Sequence, residues 1–494
     1  MGGVRRCGYF APSLEFFLLY HYLLLRMKLT FCGAAQTVTG SMHLLELESG
    51  HKILMDCGLF QGRRDEANHI NRTFLFNPAE IDVVLLSHAH IDHAGLLPKL
   101  WKDGFRGRVY ATHATYDLCA IMLMDSAYIQ ESDAAFLNKR NKNRRGPQGP
   151  EIVPLYTQGD TEELLKRFVS VGYNAPFSPL PGLLVEYRDA GHILGSASMV
   201  LKIQEGGREK RLGFTGDVGR PERPIIRDPQ TMEDCDWIIT ESTYGGQTHA
   251  PITETNEALA DVIRNTASRG GKILIPAFAV GRTQELVYAL DQLWNEGELP
   301  RIPVYVDSPL AVSATAVFQS HPECYDETTR HYLREDENPF GFEKLRYIRS
   351  VDQSKALNTQ RGSMVVISAS GMCEAGRILH HLRNNISNPK TTVLMVGYCA
   401  ENTLGRRLIN KDSVVRIFGE EYLRKAEVVT LSSLSAHADE PELLDFLGKL
   451  DIDRLQQTFL VHGELERQQL LQKALKTKCF KNVEIPVRGH SVIL

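Results

Sequence analysis

The run Ser87-His88-Ala89-His90-Ile91-Asp92-His93 follows directly on an apolar stretch, IDVVLLS, at 81–87. An apolar block of that length suits a strand buried on both faces. In extended chain, residues i and i+2 point to one side. His88 and His90 can therefore meet at one metal ion. Once the chain turns, Asp92 and His93 face a second position. Imidazole nitrogen and carboxylate oxygen are the donors zinc takes in hydrolytic sites. A lone histidine is usually structural. Three histidines and an aspartate within six residues are not explained by core packing, because buried polar groups at that density need a common partner.

Glycine-bounded turns after other apolar stretches carry further candidates. Asp56 stands in ILMDCG, His192 in DAGHILGSA and Asp217 in FTGDVG. Each alone would be an ordinary turn residue, and their value lies in the joint pattern.

From Met27 to about Gly62 short strands alternate with glycine turns, and RVYAT adds another strand. Residues 115–141 read as a helix. It runs into KRNKNRRGPQGP, where Lys139, Arg140, Lys142, Arg144 and Arg145 crowd together. That basic stretch reads first as a solvated loop and second as a flap beside a polyanion groove. From about 221 to 424 the texture changes. KILIPAF, PVYVDSP, MVVISAS and TTVLMVG are short apolar strands separated by amphipathic helices such as RTQELVYALDQLW. That alternation predicts a parallel α/β sheet. After 425 the chain returns to strand, helix and strand. The expected organisation is one fold over 27–220 and 425–494 with an α/β unit over 221–424 inserted into it, and a length of 494 residues suits two such units.

Residues 1–26 stand apart. Arg5 and Arg6 precede the apolar run at 16–25, but no small-residue cleavage site follows. The run is too short to span a bilayer as a helix. We expect an extension outside the fold, with Met27 as the effective start, and no membrane association. Nine cysteines without a C-x-x-C pair predict reduced thiols and a cytoplasmic protein. The net charge of −4 is small, so a polyanion would have to meet positive charge gathered in a cleft.

The H-x-H-x-D-H run resembles the signature of the metallo-β-lactamase fold, an αββα sandwich. Glu241 in ITESTYG, His437 in SLSAHAD and His462 in FLVHGE resemble the accessory motifs of its β-CASP branch. The resemblance spans 27–494. It implies a β-CASP α/β domain inserted into the sandwich, and two zinc ions per chain. One zinc is held by His88, His90 and His192. The other is held by Asp92, His93 and His462, and Asp217 bridges the pair. Asp56 orients the ligands or the bound water. His437 protonates the leaving 3′ oxygen, with Glu241 fixing its tautomer.

The branch consists of nucleases, among them the endonuclease of messenger-RNA 3′-end cleavage. DNA-directed members commonly carry valine where this chain has His462, which favours single-stranded RNA as substrate. Endonucleolytic and 5′-exonucleolytic cleavage both fit the resemblance, and so does a homodimer. The loop in ISASGMCEAGRI leads into a helix N-terminus able to hold phosphate. Ser370, Gly371 and Arg377 from it, with Arg282, Arg406 and Arg407, resemble the RNA-facing positions. The rivals are a DNA nuclease of the same fold, a small-molecule (thio)ester hydrolase and a non-catalytic scaffolding subunit. An inserted domain over the cleft argues against the hydrolase, and the full ligand set argues against the scaffold.

Overall fold

Period-two alternation decides how the layers stack. The computed structural model describes residues 26–142, 150–397, 399 and 402–494. In its first seven-stranded sheet, Leu29, Phe31, Leu45, Ile53, Met55, Val83 and Leu85 point one way. They meet Val185, Tyr187, Met199, Leu201, Phe214, Ile239 and Phe459 of a second seven-stranded sheet. The intervening residues point outward. Leu44, Leu54, Val84 and Leu86 pack under helices through Leu97, Leu100, Leu118 and Leu123. On the far side, Val200 and Ile238 pack under Leu443, Phe446, Leu471 and Leu475 of the helices Glu440–Leu447 and Leu465–Thr477. Two sheets face to face with helices on both outer surfaces make the expected αββα sandwich. Each such apolar side chain contributes roughly 1.5–3 kcal/mol on burial.

The first sheet runs Ser491–Ile493, Lys28–Phe31, His43–Glu46, Lys52–Met55, Val83–Leu85, Arg108–Thr112 and Phe168–Val171. The second runs Val483–Glu484, Gln457–Leu460, Trp237–Thr240, Arg208–Phe214, Ala197–Glu205, Leu183–Asp189 and Phe177–Leu180. The inserted unit has a wholly parallel sheet of six strands in the order Leu345–Tyr347, Val304–Val306, Met364–Ser368, Lys272–Pro276, Thr392–Met395 and Glu427–Thr430.

The pairing moves both expected boundaries of the insertion. Trp237–Thr240 pairs in parallel with Arg208–Phe214 and Gln457–Leu460, so the sandwich continues past 220 to at least Thr240. Glu427–Thr430 pairs with Thr392–Met395, so the cap ends after Thr430 and not at 424. A four-residue apolar strand reads alike in either sheet, and only tertiary pairing assigns it.

The long helix expected over 115–141 is His113–Lys142. Lys139, Arg140 and Lys142 close it, while Arg144 and Arg145 lie outside the described residues, as do residues 1–25. Among the described residues no helix is long and apolar enough to cross a membrane.

Candidate metal centre

The site's residues sit just past the C-terminal ends of strands. Asp56 follows Lys52–Met55, His88 follows Val83–Leu85, His192 follows Leu183–Asp189 and Asp217 follows Arg208–Phe214. Glu241 and His462 follow Trp237–Thr240 and Gln457–Leu460. Loops at one end of a sheet can thus converge while the strands beneath hold them rigid. The convergence needs close backbone approach. A Cβ on Gly219 would fall 1.7 Å from the Gly191 carbonyl oxygen, so the loops carrying Asp217 and His192 meet backbone to backbone. Two ligand-loop residues are also held in the left-handed region, Asp56 at φ 59° and His462 at φ 50°. Such strain persists where the surroundings over-determine it. At His462 they do so through its amide to Ala34 O at 2.7 Å and the Gly463 amide to Thr37 O at 3.1 Å.

Ligand atoms about 2.0–2.1 Å from one tetrahedral zinc stand ~3.3 Å from each other. The donors meet that spacing twice. His90 Nδ1 lies 3.1 Å from His88 Nε2 and 3.2 Å from His192 Nε2. Asp217 Oδ2 lies 3.5 Å from both His88 Nε2 and His192 Nε2. In the second group, His93 Nε2 is 3.2 Å from His462 Nε2 and 3.3 Å from Asp217 Oδ2, and His462 Nε2 is 3.5 Å from Asp92 Oδ2. Asp217 belongs to the first group and reaches the second through His93. Its Oδ1 is buried and accepts no hydrogen bond among the described residues, a cost that a bound cation would remove. The donor set therefore fits a metal cofactor.

Protonation supports this for the first group. Burial holds His88, His90 and His192 below the usual imidazole range, His90 at about 4, which keeps them neutral with lone pairs to give. Burial also works against charge on His93, but Asp217 and Asp56 outweigh it and raise its pKa well above that range. Asp56 sits directly against His93. It takes His93 Nδ1 at 2.6 Å, leaving Nε2 for the cluster. It is itself held by the Ser87 amide at 2.8 Å and by the Ser87 and Ser41 hydroxyls at 2.9 and 3.1 Å.

Beside the cluster, His437 Nδ1 lies 3.1 Å from Glu241 Oε2 and 3.9 Å from Asp217 Oδ2. Burial disfavours the imidazolium, but Glu241 and then Asp217 outweigh burial and raise the His437 pKa to about 9.

All nine metal and proton-handling side chains predicted from the sequence, together with Asp56, come together here. The predicted RNA-facing set behaves differently. Arg282 is buried and ion-paired with Glu285 three residues along its own helix. Arg377 is committed to Asp307 Oδ1 at 2.7 Å and to the Arg349 carbonyl at 2.7 Å. Neither presents the free guanidinium that an RNA contact requires: Glu285, within the same short motif, claims Arg282, and Asp307, 70 residues away, claims Arg377. Ser370 accepts the Glu374 and Ala375 amides at 3.2 and 3.3 Å, and Gly371 packs against Phe278. Arg406 is half-buried and Arg407 exposed on the helix Leu404–Ile409.

Sequence reading missed Ser87, Thr243 and Arg223. Thr243 donates to Glu241 Oε2 at 2.6 Å, and its place inside ITESTYG was the available signal. Arg223 carried none.

An αββα fold with two adjoining His/Asp pockets at its loop end defines a metallo-hydrolase scaffold. Comparison with known families agrees. The metallo-beta-lactamase superfamily model matches residues 36–277, the Beta-Casp domain model 283–408, and the Zn-dependent metallo-hydrolase RNA specificity domain model 421–486. The chain is 38% identical over 451 residues to Ribonuclease TTHA0252 of Thermus thermophilus, covering 91% of this chain and 96% of that protein. It is 29% identical to Transcription termination factor FttA of Methanosarcina mazei, covering 94% of this chain and 70% of that protein. It is also 29% identical to Cleavage and polyadenylation specificity factor 73 of Drosophila melanogaster, covering 90% of this chain and 61% of that protein. The chain belongs to the β-CASP family of the metallo-β-lactamase superfamily.

Proposed function

We propose that this chain is a zinc-dependent ribonuclease that hydrolyses phosphodiester bonds of single-stranded RNA in cytoplasmic RNA processing or decay. The observation that carries the proposal is the pair of adjoining ligand groups, linked by the 3.3 Å approach of Asp217 Oδ2 to His93 Nε2, with the Glu241–His437 pair alongside. The similarity to a named ribonuclease along nearly its whole length supports RNA as the substrate.

His88, His90 and His192 would hold one zinc ion, Asp92, His93 and His462 a second, with Asp217 common to both. Two such ions supply Lewis acidity at the phosphoryl oxygens and lower the pKa of water at the scissile bond. Asp56 keeps His93 in the tautomer that faces the cluster. Glu241 holds the Nδ1 proton of His437, so Nε2 is the nitrogen that delivers a proton to the departing 3′ oxygen. Water oxygen joins phosphorus, the P–O3′ bond breaks, and the downstream product keeps a 5′-phosphate. Arg407 and Arg406 line the RNA path with Ser370 and Gly371, while Arg282 and Arg377 serve through their ion pairs. A homodimer is compatible with this arrangement.

The test is cleavage of matched single-stranded RNA and DNA, labelled at either end, at defined zinc concentration. RNA cleavage leaving 5′-phosphate ends supports the proposal, and the label pattern separates endonucleolytic from 5′-exonucleolytic cutting. Cleavage of DNA in preference to RNA, or of neither, would contradict it.

A further inference from the structure

A buried chain of ion pairs joins the cap to the backbone of the metal site. Arg223 lies in the segment after Asp217 and is buried. One of its terminal nitrogens, Nη1, donates to the carbonyl of His192 at 2.8 Å and to that of Ala436 at 2.9 Å. His192 is a ligand of the first metal pocket, and Ala436 precedes His437. The other terminal nitrogen, Nη2, pairs with Glu285 Oε1, and Arg282 pairs with Glu285 Oε2. Glu285 and Arg282 form the first turn of the cap helix Arg282–Asn295. A single guanidinium therefore grips a metal ligand, the loop of the proton donor and the cap at once.

The rest of that segment reinforces the grip. Val218 takes the Ala438 amide on its carbonyl at 2.8 Å, and Gly219 forms an isolated β-bridge with His437. Arg220 donates to the Ser433 carbonyl at 3.0 Å and to Glu442 Oε1 at 3.0 Å. Arg223 differs from these in holding the cap helix Arg282–Asn295 through an ion pair. Buried ion pairs gain little net stability, because desolvation offsets their attraction. What they fix is geometry, and the planar fork of arginine suits a three-way junction that the point charge of lysine cannot span.

We propose that Arg223 is a positioning residue that holds the cap, His192 and His437 in one register, so that placing the cap over substrate and aligning the reacting groups are a single event. This rests on the reading of the site as a phosphodiesterase. Arg223 touches no reacting atom. Displacing a reacting group by about 1 Å can cost about 100-fold in rate, so the effect falls on kcat.

The test compares wild type with Arg223→Lys, which keeps the charge and loses the fork, on RNA and on bis(4-nitrophenyl) phosphate at saturating zinc. The small diester reads the metal site without the cap's RNA contacts. If wild type hydrolyses the diester but not RNA, the ribonuclease reading falls and the role of Arg223 is still measurable. The expected result is a kcat lower by at least about tenfold on each substrate the wild type turns over, with KM within about twofold and zinc content unchanged. An unchanged kcat, a rise in KM alone, a loss confined to RNA where both are substrates, or loss of zinc would overturn the proposal. If Arg223→Lys does not fold, Glu285→Asp decides on the same readouts. It keeps the charge and withdraws the cap's anchor by one methylene, and an unchanged kcat there overturns the proposal equally.

Discussion

Glu241 Oε2 lies 3.1 Å from His437 Nδ1 and takes the Thr243 hydroxyl at 2.6 Å, while Oε1 takes the Val218 amide at 2.6 Å. The carboxylate is fixed by two donors before it meets the imidazole, so it orients His437 without moving. Glu241→Gln keeps the shape and removes the charge that sustains the raised His437 pKa of about 9. We expect kcat on RNA to fall roughly 10²–10⁴-fold, the usual worth of a positioned proton donor, with zinc content unchanged. Single-turnover cleavage beside metal analysis checks both halves.

Asp56 bears on metal affinity and not on proton transfer. It holds His93 Nδ1 at 2.6 Å. Asp56→Ala frees that ring and leaves the Ser87 amide without its acceptor. Zinc affinity should drop about 10–100-fold, the typical effect of losing an orienting carboxylate. A competitive chelator titration reads it, and activity should return at high zinc. Undiminished affinity would remove Asp56 from this role.

Arg407 is exposed on the helix Leu404–Ile409, with Arg406 half-buried beside it. If both lie along the RNA path, Arg406→Ala and Arg407→Ala weaken RNA binding and flatten its salt dependence. Each lost phosphate contact lowers the log–log slope by about 0.7 for a single strand. Filter binding across a salt series reads this, and zinc content stays at the wild-type value. An unchanged slope places the RNA elsewhere.

A histidine clamp also ties the cap to the sandwich. His321 Nε2 lies 2.7 Å from Asp117 Oδ2 on the helix His113–Lys142, and its Nδ1 lies 2.6 Å from Glu323 Oε1. Burial opposes charge on the ring, but Glu323 and Asp117 outweigh it and raise the pKa above the ordinary imidazole value. The stability this adds is complete below the unfolded pKa of about 6.5 and fades as pH rises through the folded value. The Tm difference between wild type and His321→Asn should therefore be largest in mildly acidic buffer and shrink toward alkaline pH. A difference that grows with pH would contradict it.

The metal loops were legible because their chemistry is local. His88, His90, Asp92 and His93 share one turn, and Asp56, His192, Asp217, Glu241 and His462 each follow an apolar strand within three residues. The helix His113–Lys142 and the strands Lys272–Pro276 and Met364–Ser368 were legible through length and apolar pattern. Glu427–Thr430 was recognisable as a strand only, and Trp237–Thr240 fell inside the expected insertion, since sheet membership is decided by partners far along the chain. Arg377 looked available because nothing near it in sequence reveals Asp307 folded against it, whereas the Glu285 that claims Arg282 stands only three residues along the same helix. Arg223 escaped notice for the same reason, its partners lying 31, 62 and 213 residues away.

We propose that the two ligand groups meeting at Asp217 hold the metal that cuts RNA. This is tested most directly by measuring bound zinc and RNA cleavage together in wild type and Asp217→Ala. The expected result is about two zinc ions per wild-type chain, fewer in the variant, and RNA cleavage lost with them. RNA cut at the wild-type rate by Asp217→Ala, or by wild-type protein stripped of metal, would contradict it.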